Sequence, residues 1–131
     1  MEIQTFVSLV IIGLLAGTLS GFIGIGGGVV MVPALIFALG ISQHEAQGLS
    51  ITTMLLPIGA LAFYNYYKSG QVTNQFILYA GIIGFTFIIG GYFGSRLSLK
   101  LNPLLVKFLF GILMLYIGIK MMISGWDYFK K

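Results

Sequence analysis

Long uncharged, mainly hydrophobic stretches alternate with short polar joints along the chain. Residues 3–43, 46–67 and 69–95 carry no charged side chain, and a fourth, mostly apolar stretch covers residues 103–123. A helix needs roughly 20 mainly apolar residues to cross a hydrocarbon core of about 30 Å. The pattern therefore predicts an all-α integral membrane protein with about four hydrophobic helical segments.

The first stretch is too long for one ordinary span. Residues 5–40 would make a single helix of roughly 54 Å, nearly twice the hydrocarbon thickness of about 30 Å. Glycine, a poor helix former, fills five of the eight positions from residue 21 to residue 28. These glycines predict a helix over residues 5–23, an unwound tip over residues 24–28 and a shorter helix with Pro33 in its first turns. The pattern leaves open whether the short helix crosses the membrane or folds back as a re-entrant hairpin.

The later segments are separated by polar joints. Residues 40–48 form a joint that holds the only histidine, His44, beside Glu45. The second segment, about residues 46–67, contains Pro57, which predicts a kink. The third and fourth segments cover about residues 72–97 and 103–123, and the residues that follow are typical of a membrane interface: Trp126, Tyr128, Phe129, Lys130 and Lys131.

Small residues recur every four positions in two of the segments. Gly13, Gly17 and Gly21 share one face of the first helix, and Gly90 and Gly94 share one face of the third. Such ridges let two membrane helices approach closely. We expect them to pack inside one subunit, with a dimer contact as the alternative.

Composition agrees with a membrane protein and narrows its partners. With 58% hydrophobic and 8% charged residues, the chain has too little polar surface for a soluble domain, so residues 1–131 are predicted to form a single membrane unit. Cysteine is absent, which excludes a disulfide framework and a thiolate metal site. The net charge of +4 comes from scattered cations, so we expect contact with the lipid bilayer and no nucleic acid.

The usual signatures of catalysis are missing. Residues 21–28 lack the Lys and Ser/Thr that complete a P-loop, and they follow a membrane helix instead of a β-strand. His44 has no second histidine, and Glu2, Glu45 and Asp127 are far apart in the sequence. No candidate base stands beside a Ser or Thr at membrane depth. We therefore expect no enzyme activity, no catalytic residue, no metal and no cofactor.

Uncharged polar groups gather around the broken first segment and the second segment. A single hydroxyl in a membrane helix usually bonds its own backbone. An unwound tip, however, exposes N–H groups, and such backbone is tolerated in lipid only where it is buried in protein or lines a wet cavity. The N-terminus of the short helix adds partial positive charge.

Neutral donors beside a helix N-terminus, without a buried cation, predict a site for a small anion that must bind and then leave. The candidate substrate-binding residues on this argument are Ser20, Gly24, Gly26, Gly27, Gly28, Ser50, Thr52 and Asn65, and Thr18 and Thr53 belong to the same polar set.

Four motifs in a fixed order carry a family resemblance: "SGFIGIGGGVVMVPAL", "HEAQGLSI", "YYKSGQV" and "RLSLKLNPLLVKFLFGILMLYIGIKMM". Together they resemble one repeat of the TauE/SafE family of sulfite exporters, and the resemblance covers nearly the whole chain. Most members of that family hold two such repeats. The resemblance therefore implies that a working unit needs at least two copies of this fold.

The resemblance also implies a function. The family moves sulfite, sulfonates and related small sulfur-containing or organic anions across the cytoplasmic membrane of prokaryotes, coupled to protons. Its glycine tip corresponds to Gly24, Gly26, Gly27 and Gly28, and its polar second helix to Gln47, Gly48 and Ser50. Leu49 departs from the Thr or Ser that many members have, so the exact substrate stays open.

The cations give little orientational bias. Arg96, Lys100 and Lys107 are expected on one side of the membrane, and Lys68, Lys120, Lys130 and Lys131 on the other. Because the positive-inside rule depends on a clear excess of cations on one side, the chain is expected to insert in both orientations. The corresponding assembly is an antiparallel homodimer, the separate-chain form of an inverted repeat.

Two other functions stay open at the level of the sequence. One is a channel-like or multidrug-type carrier for other small solutes. The other is a non-transporting subunit of a heteromeric membrane complex.

Overall fold

The chain is helical throughout the computed structural model, which describes residues 2–24 and 26–130, without the side chain of Asp127. No strand occurs within these residues, so the predicted all-α fold class is confirmed. The interfacial Lys131 predicted above lies outside the described residues. The elements in order are α1 (Ile3–Ile23), α2 (Gly28–Leu39), α3 (Gln43–Met54), α4 (Ala60–Lys68), α5 (Asn74–Lys100), α6 (Pro103–Gly125) and a 3₁₀ helix (Trp126–Lys130).

Three of the described helices are long and apolar enough to cross a membrane. They are α1, α5, and α6 together with its 3₁₀ extension. At 1.5 Å per residue, the 21 residues of α1 extend about 31 Å, close to the hydrocarbon thickness. The predicted end of the first helix at residue 23 is confirmed.

The short helix α2 folds back along α1. Its 12 residues extend about 18 Å, which is too short to cross the bilayer alone. Met31, Val32 and Leu35 of α2 form one hydrophobic core with Ile12 and Ala16 of α1. Because these two α1 residues lie well before the end of that helix, α2 must return beside it. The structure therefore favours the re-entrant alternative that the sequence had left open.

The second hydrophobic segment is not one kinked span. It forms two short helices, α3 with 12 residues and α4 with 9, so the predicted continuous segment over residues 46–67 is wrong. Pro57 has no N–H to donate and disfavours helical backbone at the residue before it. Turn hydrogen bonds from Leu55 N–H to Thr52 O and from Leu56 N–H to Thr53 O, each 3.2 Å long, end α3 before the proline.

The α5–α6 hairpin begins its second helix with a sharp cap. The Asn102 side chain accepts a hydrogen bond from Leu104 N–H at 2.8 Å, and Pro103 occupies the first helical position, where it loses no helical bond. This turn lies against the joint between α2 and α3. His44 Nε2 donates to the Leu101 carbonyl at 3.1 Å, so the two turns lie at the same end of the molecule.

The two glycine ridges are open. A Cβ added at any of their positions would meet no atom within 4 Å beyond the helix's own backbone. The expectation that the ridges pack closely inside one subunit is therefore wrong for this chain. The open positions are Gly13, Gly17, Gly21, Gly90 and Gly94.

Candidate functional site

The tip between α1 and α2 is built from glycines in left-handed backbone. Gly24, Gly26 and Gly27 have φ angles of 79°, 72° and 72°, a region that side chains with a Cβ rarely adopt. Gly24 ends α1 by donating its N–H to the Ser20 carbonyl at 2.7 Å. Gly27 is the N-cap of α2. The glycines are therefore required by the reversal of the chain, and the predicted break between the two helices is confirmed.

Residues from three helices converge on this tip. A Cβ placed on Gly27 would lie 3.9 Å from Ser20 Oγ of α1. A Cβ placed on Gly28 would lie 3.5 Å from Ser50 Oγ and 3.1 Å from Met54 Cε of α3. Gly27 is buried and Ser50 is only 3% exposed. The geometry thus brings together four of the predicted site residues, and they are Ser20, Gly27, Gly28 and Ser50.

The hydroxyls near the tip fall into two groups. The Thr18 and Thr52 hydroxyls donate to carbonyls one turn earlier in their own helices, at 2.7 and 2.8 Å, and Thr53 does the same at 2.9 Å. The hydroxyls of Ser20 and Ser50 make no hydrogen bond to any residue in 2–24 or 26–130. Both serine hydroxyls therefore keep their hydrogen-bonding capacity for another group, whereas the proton of Thr52, a predicted site residue, is already committed.

Tyr66 joins the fourth helix to the tip. Its hydroxyl donates to the Gly21 carbonyl at 2.7 Å, across 45 residues of sequence. The sequence reasoning missed this residue because the run of tyrosines resembled an ordinary interfacial belt. The neighbouring Asn65, which was predicted to belong to the site, is exposed, and its side chain contacts no described tip residue by hydrogen bond.

Two further predicted residues lie away from the tip. Gln47 points toward the end of α5, where its Oε1 accepts a hydrogen bond from Ser98 Oγ at 3.4 Å. Gly48 is exposed and has open space around its Cα.

Gly24 and Gly26 lie in the tip but on its exposed side. The roles of all these residues stay predictions.

The polar residues around the start of α3 cap that helix. Ser42 and Glu45 form a capping box, in which the Ser42 N–H donates to the Glu45 carboxylate at 2.8 Å and the Glu45 N–H to the Ser42 hydroxyl at 3.3 Å. The Ser42 backbone N–H, and then the Ser42 hydroxyl, hold the pKa of Glu45 below its ordinary value. Glu45 therefore stays ionised at neutral pH and is poorly suited to carry a proton.

Comparison with known proteins identifies the family. The model of the family described as "Sulfite exporter TauE/SafE" matches residues 1–121. The chain belongs to the TauE/SafE family. The resemblance inferred from the four motifs is confirmed.

TauE/SafE relatives with curated names agree on a broad function. The chain is 33% identical, over 93% of its length, to "Probable membrane transporter protein YunE" of Bacillus subtilis. It is 32% identical, over 92% of its length, to a "Probable membrane transporter protein" of Haemophilus influenzae. A protein of the same name from Xylella fastidiosa is 33% identical over 88% of the chain. No solved structure matches the chain significantly.

The TauE/SafE assignment establishes the class of protein. The chain is a multi-pass protein of the cell membrane, with three described helices long and apolar enough to cross the bilayer. The matched regions cover 46% and 47% of the Bacillus and Haemophilus proteins, so the chain spans about half the length of these curated relatives.

Proposed function

We propose that the chain exports a small anion such as sulfite, a sulfonate or a related organosulfur compound, and that it works as a homodimer. The observation that carries this proposal is that the hydroxyls of Ser20 and Ser50, which make no hydrogen bond within residues 2–24 and 26–130, converge on the left-handed glycine tip at the start of α2. A hydroxyl can donate to an anion without neutralising its charge. Such a site binds a small anion weakly enough to release it.

The electrostatics of the tip favour a negative ligand. The N-terminus of α2 carries a partial positive charge from its unpaired N–H groups. No acidic residue lies in the first turn of α2, and residues 3–43 contain no charge of either sign. An anion at the tip would therefore meet an attractive dipole and no repelling carboxylate from α1 or α2.

A second copy of the chain supplies the other half of the transporter in this proposal. One part of the support is that the chain matches only about half of each curated relative. The other part is the distribution of cations between the two ends of the long helices. The contact between His44 and Leu101 groups Arg96, Lys100 and Lys107 at one end, while α5, about 40 Å long, carries Lys68 to the other. With Lys120, Lys130 and Lys131 expected at the same end as Lys68, three cations face four, which is no clear excess and suits an antiparallel pair.

Proton coupling of this export stays a prediction. His44 and Glu45, the titratable residues of the α2–α3 joint, are engaged with Leu101 and Ser42. Neither makes a hydrogen bond to Ser20, Gly27 or Gly28.

Uptake of labelled sulfite into vesicles tests the transport function directly. The purified chain is reconstituted alone, and Ser50→Ala is compared with Thr52→Val. We expect wild-type uptake that excess methanesulfonate competes, and a loss of about tenfold for Ser50→Ala, as for one hydrogen bond to a charged group. Thr52→Val should stay within about twofold, because the Thr52 hydroxyl already bonds Gly48 O. Absence of any anion flux in the wild type would contradict the proposal and favour a non-transporting subunit.

Reporter fusions at the C-terminus test the antiparallel homodimer. One reporter is active only in the cytoplasm and the other only outside it. Comparable signals from both are expected for insertion in both orientations. A strong signal from one reporter alone would contradict the antiparallel arrangement while leaving the transport proposal intact.

A further inference from the structure

Gln43 carries a buried amide with no partner. The residue is 3% exposed, and neither its Oε1 nor its Nε2 makes a hydrogen bond within the described part of the chain. Leaving a buried polar group unpaired costs about 1–3 kcal/mol, and such groups in native proteins usually serve a purpose. Gln43 is not needed for capping, because the Ser42–Glu45 capping box already starts α3.

Gln43 lies on the same face of α3 as the tip residue Ser50. The buried residues of α3 are Gln43, Ala46 and Ser50, spaced as one helical stripe. This stripe faces α2, because Ser50 Oγ lies 3.5 Å from the Cβ position of Gly28. Seven residues separate Gln43 from Ser50, so the amide lies about 10 Å from the tip along the helix axis.

We infer that Gln43 is a second substrate contact, and that it selects oxyanions that still carry one O–H group, such as hydrogen sulfite. This inference rests on the proposed function. A primary amide offers a donor and an acceptor side by side. An oxyanion with one O–H offers the matching pair, an oxygen that accepts from Nε2 and a hydroxyl that donates to Oε1. A fully deprotonated oxyanion has only acceptors and would be repelled by Oε1.

The site needs no titratable side chain to move a proton. Among the helices that pack together here, α1 and α2 carry no ionisable side chain, α3 carries His44 and Glu45, and α6 contributes Lys107 near Phe37. His44 and Glu45 face other partners. Selection of the O–H form by Gln43 would carry one proton with each anion, without a titratable side chain. In the conformation described, the amide is closed off, so α2 and α3 must part for the anion to pass from Ser50 to Gln43.

Equilibrium binding to the purified chain tests this inference independently of transport. Binding of sulfite and of methanesulfonate is measured by calorimetry across the second ionisation of sulfite. Methanesulfonate has no O–H group in that range and serves as the internal comparison. Gln43→Met preserves the size and shape of the side chain and removes both hydrogen-bonding groups. Gln75→Met is the matched control, because Gln75 is exposed and its amide donates to Tyr79 Oη.

In the wild type, sulfite affinity should fall as pH rises and O–H is lost, while methanesulfonate affinity should stay constant. Gln43→Met should weaken sulfite binding about tenfold, as for one hydrogen bond to a charged group. It should leave methanesulfonate binding and the melting temperature unchanged or raised, since an unpaired polar group has been removed. Gln75→Met should change neither ligand.

Three results would overturn the inference: equal loss of both ligands, no loss of sulfite binding, or a large fall in melting temperature, which would make Gln43 structural. Selective loss of sulfite binding in a chain that shows no vesicle flux would instead support the Gln43 contact and contradict the transport proposal. The two failures are thereby distinguished.

Discussion

The α1–α3 unit and the α5–α6 hairpin use the same kind of residues in opposite ways. Every buried residue of the described helices belongs to α1, α2 or α3, and α5 and α6 bury none within this chain. Both regions are rich in Leu, Ile and Phe. Hydrophobicity therefore does not explain why only α1–α3 bury side chains, because lipid solvates apolar side chains as well as protein does.

Irregular backbone accounts for the difference. The α5–α6 hairpin satisfies its own backbone along two long helices and can face lipid on all sides. The α1–α3 unit contains a left-handed glycine tip and two helices too short to span the bilayer, and such backbone is tolerated at membrane depth only inside protein or beside a wet cavity. The small core and the candidate site lie together because the same break in the chain requires both.

The largest effect is expected from filling the tip. Gly27→Leu should abolish sulfite uptake, because Gly27 is buried and its Cβ position already lies 3.9 Å from Ser20 Oγ. Gly24→Leu is the control, since Gly24 has similar positive φ but open space around it. Membrane insertion and vesicle uptake are measured for both variants.

Equal loss with Gly24→Leu would trace the effect to backbone strain and not to the space at the tip. Unchanged uptake with Gly27→Leu would indicate that the tip is a turn between two helices and does not bind the anion.

A substitution in the core of the α1–α3 unit should lower the free energy of unfolding more than a similar substitution in α6. Leu35 is 2% exposed, and Leu35→Ala should cost about 2–3 kcal/mol through the cavity it leaves. Leu115 of α6 is exposed within one chain, so Leu115→Ala should cost well under 1 kcal/mol, in the range of surface substitutions. Unfolding in one detergent measures both. A comparable loss for Leu115→Ala would reveal that protein covers that face of α6.

A smaller effect is expected from releasing α4 from the tip. Tyr66→Phe removes the 2.7 Å hydrogen bond to the Gly21 carbonyl and should lower uptake roughly fivefold, as expected for about 1 kcal/mol from one neutral hydrogen bond. Tyr64→Phe is the control, because Tyr64 is exposed and makes no hydrogen bond to a described residue through its hydroxyl. Equal effects of the two variants would argue against the contact with Gly21.

The smallest effect on binding is expected at the joint between the two regions. His44→Ala removes the bond to the Leu101 carbonyl, which ties α3 to the α5–α6 turn, but within the described residues His44 makes no hydrogen bond to the hydroxyl of Ser20 or Ser50. Sulfite affinity should stay within about twofold of the wild type, less than the loss of one net hydrogen bond. Calorimetric titration of the variant checks this, and abolished binding would make the joint part of the site.

The position of the glycine tip could be predicted from the local sequence alone. Five clustered glycines fix where α1 ends, and they place the start of α2 within one residue, since α2 begins at Gly28 instead of after it. The break at Pro57 was predicted only as a kink. Proline alone often bends a membrane helix, whereas here Gly59 follows as the N-cap of α4 and completes the interruption.

Residues that depend on tertiary contacts could not be predicted from the sequence. Tyr66 is one of three tyrosines within four positions, and only the return of α4 toward α1 distinguishes it. Gln43 sits in a polar joint that composition alone places at the surface, yet the packing of α3 on α2 buries it. Thr52 and Ser50 look equivalent in the sequence, and they differ because only Ser50 faces Gly28.

The hydrogen bond from Tyr66 to Gly21 also bears on the electrostatics of the tip. The carbonyl end of α1 carries partial negative charge, and it lies beside the positive end of α2. Without hydrogen-bond donors, those carbonyls would repel an incoming anion and partly cancel the attraction of the α2 N-terminus. The Gly24 N–H covers the Ser20 carbonyl and the Tyr66 hydroxyl covers the Gly21 carbonyl. A phenol from α4 thus weakens the opposition of the α1 carbonyls to an anion at the tip.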